Sequence, residues 1–120
     1  MKTSHLAVLL LAGALSCHNS PTEPIPDYNI SVQDYSFGPD SLNVQAGKVI
    51  QWTNFGPSAH AVASDSAKWT TMSLGAPGGG GPYGGGGGAT NVQLVLHTPG
   101  RYPYHCAIHP TLMHGVLIVS

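Results

Sequence analysis

One stretch constrains this chain more than any other: Tyr102-Pro-Tyr-His-Cys-Ala-Ile-His-Pro-Thr-Leu-Met-His-Gly115, followed by the apolar run Val116-Leu-Ile-Val119. Tyr102 and Tyr104 alternate with their neighbours as residues do along a strand, and Val116 to Val119 supplies a second apolar strand. Between the two lie Cys106, His109 and Met113, which place a thiolate, an imidazole and a thioether in one short loop. A loop between paired strands anchors such donors on a rigid scaffold.

The rest of the chain is built to supply that scaffold. Tyr28, Ile30 and Val32 alternate with Asn29, Ser31 and Gln33, the pattern of a half-buried strand. Phe37-Gly-Pro-Asp40 is a turn by residue type, Leu42, Val44 and Ala46 continue at period two, and Gly47 marks the next turn. Val49-Ile-Gln-Trp-Thr-Asn54 is a strand of β-branched and aromatic content, broken by Phe55-Gly-Pro-Ser58. Ala59 to Ser64 resumes extended character, Asp65 to Leu74 is compatible with a short strand or a loop, and Asn91 to His97 is a strand that ends at Thr98-Pro-Gly100. Nothing carries an amphipathic helical period. With Arg101 to Cys106 and Gly115 to Ser120 added, the pattern predicts an all-β, antiparallel sandwich of about seven to eight short strands.

The N-terminus reads differently. Lys2, the apolar run Leu6 to Leu15 and Ser16-Cys17 form an export signal over residues 1–16, too short for the roughly 20 apolar residues that span a bilayer. Ala14-Leu-Ser16 suits ordinary signal peptidase, while the same place resembles a bacterial lipobox with Cys17 as the lipidated first residue of the mature protein. Residues 17–27 form a Pro-rich tether, in which Pro21, Pro24 and Pro26 favour extended geometry. Residues 28–120 are the metal-binding domain, interrupted at 75–88 by a Gly-rich segment. That segment lacks the Gly-Lys-Ser/Thr ending of a phosphate-binding loop and is expected to be a flexible connection.

Charged residues make up 8% of the chain against about 25% in ordinary domains. There is no basic stripe, which argues against nucleic acid, and no acidic patch for long-range steering. A partner would therefore meet apolar or neutral polar surface. The two cysteines could in principle form one disulfide, but Cys17 sits at the processing site and Cys106 among histidines and a methionine.

The loop's donors suit copper, which takes two His and one Cys in a trigonal plane with a weak axial Met. The second imidazole has an evident source in His60, within Asn54-Phe-Gly-Pro-Ser-Ala-His-Ala-Val62. Each residue alone says little, since a Met beside Leu112 is more often core and a lone His more often a satisfied polar group. Zinc would use Cys and His but not Met. His105 follows the strand alternation away from Cys106, His114 is expected to face outward, and His97 has no evident partner.

Residues 28–120 resemble the cupredoxins, the small blue copper proteins of the plastocyanin, amicyanin and pseudoazurin kind. The likeness is carried by Phe37-Gly-Pro39, Trp52-Thr-Asn54, Ser58-Ala-His60, Thr98 to Cys106 and Cys106 to Val119. It implies a Greek-key β-sandwich and one type 1 copper ion, with His60, Cys106 and His109 as equatorial ligands and Met113 as the axial one. It also implies a monomeric one-electron carrier rather than an enzyme, while the N-terminal signal and lipobox-like site place it in the periplasm or, with Cys17 lipidated, at the membrane. Electrons would pass through the exposed ring edge of His109, in an apolar patch with Pro110, Leu112, Phe55 and Pro57 where redox proteins dock transiently. A copper storage or delivery module with the same ligands is the alternative. In copper nitrite reductases a His at the place of His105 binds a second copper, with help from a further domain. Multicopper oxidases need His on both sides of the Cys, and Ala107 excludes that. This chain departs from the family in three ways. Three residues separate His109 from Met113; Ala61 replaces a common Asn, leaving its N–H to reach the Cys106 sulfur; and Ile108 replaces a Pro, which offers a second N–H to the thiolate.

Overall fold

Burial follows the sequence alternation closely along β1 (Tyr28–Gln33), where Ile30 and Val32 are fully buried and the residues between them are not. The computed structural model describes residues 23–77 and 89–120. The export signal, the Cys17 lipidation site and most of the Gly-rich segment fall outside the described residues.

β1 is followed by β2 (Ser36–Gly38), β3 (Ser41–Val44), β4 (Val49–Asn54), β5 (His60–Ser64), β6 (Met72–Leu74), β7 (Asn91–Val95), β8 (Gly100–Cys106) and β9 (His114–Val119). Among the described residues these strands form a four-stranded sheet, β2-β1-β4-β7, and a five-stranded sheet, β3-β9-β8-β5-β6. The β2–β3, β3–β4, β4–β5, β6–β7 and β7–β8 connections all cross between the sheets. Inward residues of both sheets share one core that includes Ile30, Phe37, Trp52, Val62, Tyr104 and Leu117. Tyr104 lies at its centre, edge-on to Phe37 at 4.9 Å and to Trp52 at 5.5 Å from the opposite sheet.

The all-β sandwich is as expected, with two differences of detail. Pairing is mixed rather than wholly antiparallel, because β1 runs parallel to β4 and β3 parallel to β9. Strands joined by a tight hairpin must be antiparallel, whereas strands separated by an excursion through the other sheet can return in the same direction. The strand count is nine because β2 and β6, at three residues each, are too short to show an alternation. Within Asp65 to Leu74, only Met72–Leu74 becomes a strand.

Candidate metal centre

His60 opens β5, the only strand among those described whose first four residues are all buried. Its approach is held by Asn54, which is itself 1% exposed. The Asn54 amide donates to Ser58 C=O at 2.7 Å and Gly75 C=O at 3.0 Å, and its Oδ1 accepts from Gly56 N–H at 2.9 Å. A buried amide so fully satisfied fixes the loop between β4 and β5, and with it the height at which His60 enters the sandwich.

The other donors come from the β8–β9 connection. Cys106 ends β8, and its N–H donates to Met113 C=O at 3.0 Å, closing the loop at its base. His109 N–H turns back to Cys106 C=O at 3.2 Å, while Leu112 N–H and Met113 N–H both reach His109 C=O, at 3.1 and 3.2 Å. The eight-residue span from Cys106 to Met113 is thus folded on its own main chain. Cys106 and Met113 are fully buried, and His109 is half-buried.

These elements bring His60, Cys106 and His109 together. The Cys106 Sγ lies 3.7 Å from His60 Nδ1 and 3.6 Å from His109 Nδ1. All three donor atoms fall within 4.8 Å of one another, a span that one ion can bridge. Cys106 is a free thiol, and the Met113 side chain lies in the same buried cluster. A buried thiol faced by two imidazole nitrogens, with a buried methionine at the end of the same loop, is a donor set that fits copper.

The surroundings of the sulfur confirm one expectation and correct another. Ala61 N–H reaches Cys106 Sγ at 3.5 Å. Among the described residues no such bond comes from Ile108 N–H, and the loop closes instead through bonds to the carbonyls of Cys106 and His109. His105 lies on the opposite face of β8, paired with Asp65 and close to His114, its cross-strand neighbour.

Sequence reasoning missed Asp34 and Tyr35, in the turn between β1 and β2. Asp34 Oδ1 lies 3.1 Å from His60 Nε2, and the Tyr35 ring meets the His109 ring edge-on at 5.2 Å. No spacing signal could have revealed them, since both reach the site from the other sheet. Several apolar side chains at this end of the sandwich and in the ligand loop are exposed. Tyr35, Phe55, Ile108 and Leu112 are all more than half exposed, Leu112 by 61%.

Among solved structures, a purple cupredoxin from Nitrosopumilus maritimus superposes with a TM-score of 0.61 at 20% identity, covering 78% of this chain and 100% of its own. A reduced amicyanin variant gives 0.58 at 21% identity, covering 78% of this chain and 81% of its own. A copper-containing nitrite reductase from Thermus scotoductus gives 0.59 at 21% identity, but only 23% of its length is matched. At these identities the likeness establishes the fold. No curated protein sequence matches significantly. The sequence profile of the copper binding proteins of the plastocyanin/azurin family matches residues 27–120, which include the whole sandwich and every donor described above. With a cupredoxin fold around a donor set made for one copper ion, the chain belongs to the plastocyanin/azurin family of copper-binding proteins.

Proposed function

We propose that this protein is an exported type 1 copper protein that carries single electrons between other redox proteins. The observation that carries this reading is the convergence of two imidazole Nδ1 atoms on the buried Cys106 thiol. His60, Cys106 and His109, with Met113, would hold the ion. Bound copper would supply a one-electron Cu(II)/Cu(I) couple, whose potential Met113 and the hydrogen bond to the Cys106 sulfur would tune.

The chain's own residues supply the rest. The hydrogen-bonded ligand loop and the Asn54-braced approach to His60 keep the donors in place when the charge at the site changes, which limits reorganisation. The Ala61 N–H offsets charge on the thiolate. Four protein donors leave no open position for a substrate, so the reading is of a carrier and not an enzyme. His109 is the one donor of the three that is not buried, and the exposed Phe55, Ile108 and Leu112 suit brief apolar contact with a partner. Weak redox encounters use small interfaces.

Export rests on the N-terminal sequence. Residues 1–16 are read as the signal, 17–27 as a tether with Cys17 as the candidate lipidation site, and 28–120 as the working domain, a monomer in the periplasm or at its membrane. Visible absorption and electron spin resonance of the exported protein loaded with Cu(II) test the reading. An intense thiolate band with small copper hyperfine splitting, bleached and restored by mild redox cycling, is expected. A colourless protein that holds only Cu(I) would replace the carrier with a copper-delivery module. Leu112→Glu is expected to slow electron exchange severalfold with the blue band retained; unchanged rates would remove the apolar docking face from the proposal.

A further inference from the structure

The turn between β1 and β2 belongs to the four-stranded sheet, whereas every donor of the metal centre lies on the other sheet or in its loops. Yet this turn touches the site. Asp34 Oδ1 is 3.1 Å from His60 Nε2, and its Oδ2 accepts a hydrogen bond from the Ser58 hydroxyl at 3.2 Å. The Asp34 side chain is 27% exposed and that of His60 is 0% exposed, so the contact faces inward. Close approach is enforced by Gly56: a Cβ there would meet Asp34 Oδ1 at 2.8 Å and the Asp34 nitrogen at 2.9 Å. Tyr35 sits at φ 69°, a left-handed conformation uncommon for an aromatic residue, and in that pose its ring meets His109.

The chemistry of the pair is specific. An imidazole whose Nε2–H donates to a carboxylate keeps its Nδ1 lone pair free, and the carboxylate raises the basicity of that nitrogen. In this structure His60 Nδ1 is the atom that faces the Cys106 sulfur. Asp34 thus ties the β1–β2 turn to the segment that carries His60.

We propose that Asp34 is a positioning residue of the copper site: it locks His60 in the Nε2–H tautomer, aims Nδ1 at the metal, and through its charge favours Cu(II) over Cu(I). This inference rests on the copper reading above. It makes the β1–β2 turn a support for the metal centre, and Gly56 the small residue that lets the two loops meet.

Three variants separate the roles. Asp34→Asn keeps an acceptor but loses the charge, Asp34→Ala loses both, and Asp34→Glu restores the carboxylate. Nitrogen-15 histidine NMR of the copper-free protein is expected to show His60 as a single Nε2–H tautomer in wild type and Asp34→Asn, and as a mixture in Asp34→Ala. Competition titrations are expected to show Cu(II) affinity reduced about 10- to 100-fold in Asp34→Ala, the usual range for such outer partners. Asp34→Asn should show a smaller loss, and Asp34→Glu a partial rescue. Cu(I) affinity should change less, so the reduction potential rises. A general loss of structure would weaken both oxidation states alike and would not be rescued by Glu. A wild-type tautomer in Asp34→Ala, with Cu(II) affinity within twofold, would overturn the inference. If wild type forms no blue site, the copper reading fails on its own, and the NMR of the copper-free protein still decides whether Asp34 holds His60.

Discussion

The two faces of β8 present nearly the same chemistry to very different surroundings. On the inner face Tyr104 and Cys106 are 1% and 0% exposed, and the Cys106 sulfur is met by two imidazoles. On the outer face the adjacent residue, His105, pairs with the Asp65 carboxylate and stands across from His114, with ring centroids 6.5 Å apart. Both faces thus gather two imidazoles and an acidic group. Among the described residues, however, only His60, Cys106 and His109 bring their donor atoms within 4.8 Å of one another. The inner donors are held by a folded loop and a core, whereas the outer ones are partly exposed side chains on the sheet surface. Residue type nominates a ligand, and burial with convergence makes one.

The contrast can be broken most severely at the metal itself. Cys106→Ser should abolish the thiolate absorption band entirely, while His105→Gln, one residue away, should leave it intact; visible spectra after Cu(II) addition check both. A band that survives the first change, or vanishes with the second, would mean the two faces have been assigned the wrong way round.

The next effect concerns packing. Gly115 lies across from Tyr104, and a Cβ there would fall among the phenol ring atoms. Gly115→Ala is therefore expected to cost roughly 2–3 kcal/mol, the upper part of the range for an overpacked core. Ile118→Ala on the outer face of the same strand, at a site 37% exposed, should cost about 1 kcal/mol or less. Denaturant unfolding of the copper-free protein measures the pair.

Tyr104 also makes stability depend on pH at the alkaline end. Burial pushes its phenol up to about 12 from the usual 10.0, and the neighbouring Trp52 indole offsets only part of that. The unfolded chain releases this proton near pH 10 while the folded one keeps it, so raising the pH through that window favours unfolding. Below pH 10 the contribution is full and constant. Between pH 10 and 12 stability should fall by about 1.4 kcal/mol per pH unit, roughly 2–3 kcal/mol in all. Tyr104→Phe should flatten that slope, as unfolding curves at pH 9 and pH 12 would show. The smallest effect is expected on the outer face, where His114→Gln should leave the spectrum unchanged and shift stability by no more than about 0.5 kcal/mol.

Much of the site was legible in the chain because its donors obey local rules. Cys106, His109 and Met113 share one loop by spacing alone, and His60 stands out just after a Gly-Pro-Ser break. The strands were legible wherever alternation runs for four residues or more, as in β1 and β4, and illegible at β2 and β6. Period-two patterning records which side of a strand is buried, but not the direction in which a neighbour runs. The parallel pairings of β1 with β4 and β3 with β9 follow from connections that pass through the other sheet.

The same limit explains the outer support of the metal centre. Asp34 lies 26 positions from His60 and on the opposite sheet, and a single cross-sheet hydrogen bond leaves no periodic trace. Among the described residues the expected Ile108 bond to sulfur does not form, for a related reason: how a loop's amides point depends on how its carbonyls are satisfied. The metal, its donor residues and the β-class of the fold were thus written in local spacing and composition. Which imidazole nitrogen faces the sulfur and which carboxylate meets the other were decided only when two sheets closed on one core, because those contacts join residues that share no local pattern.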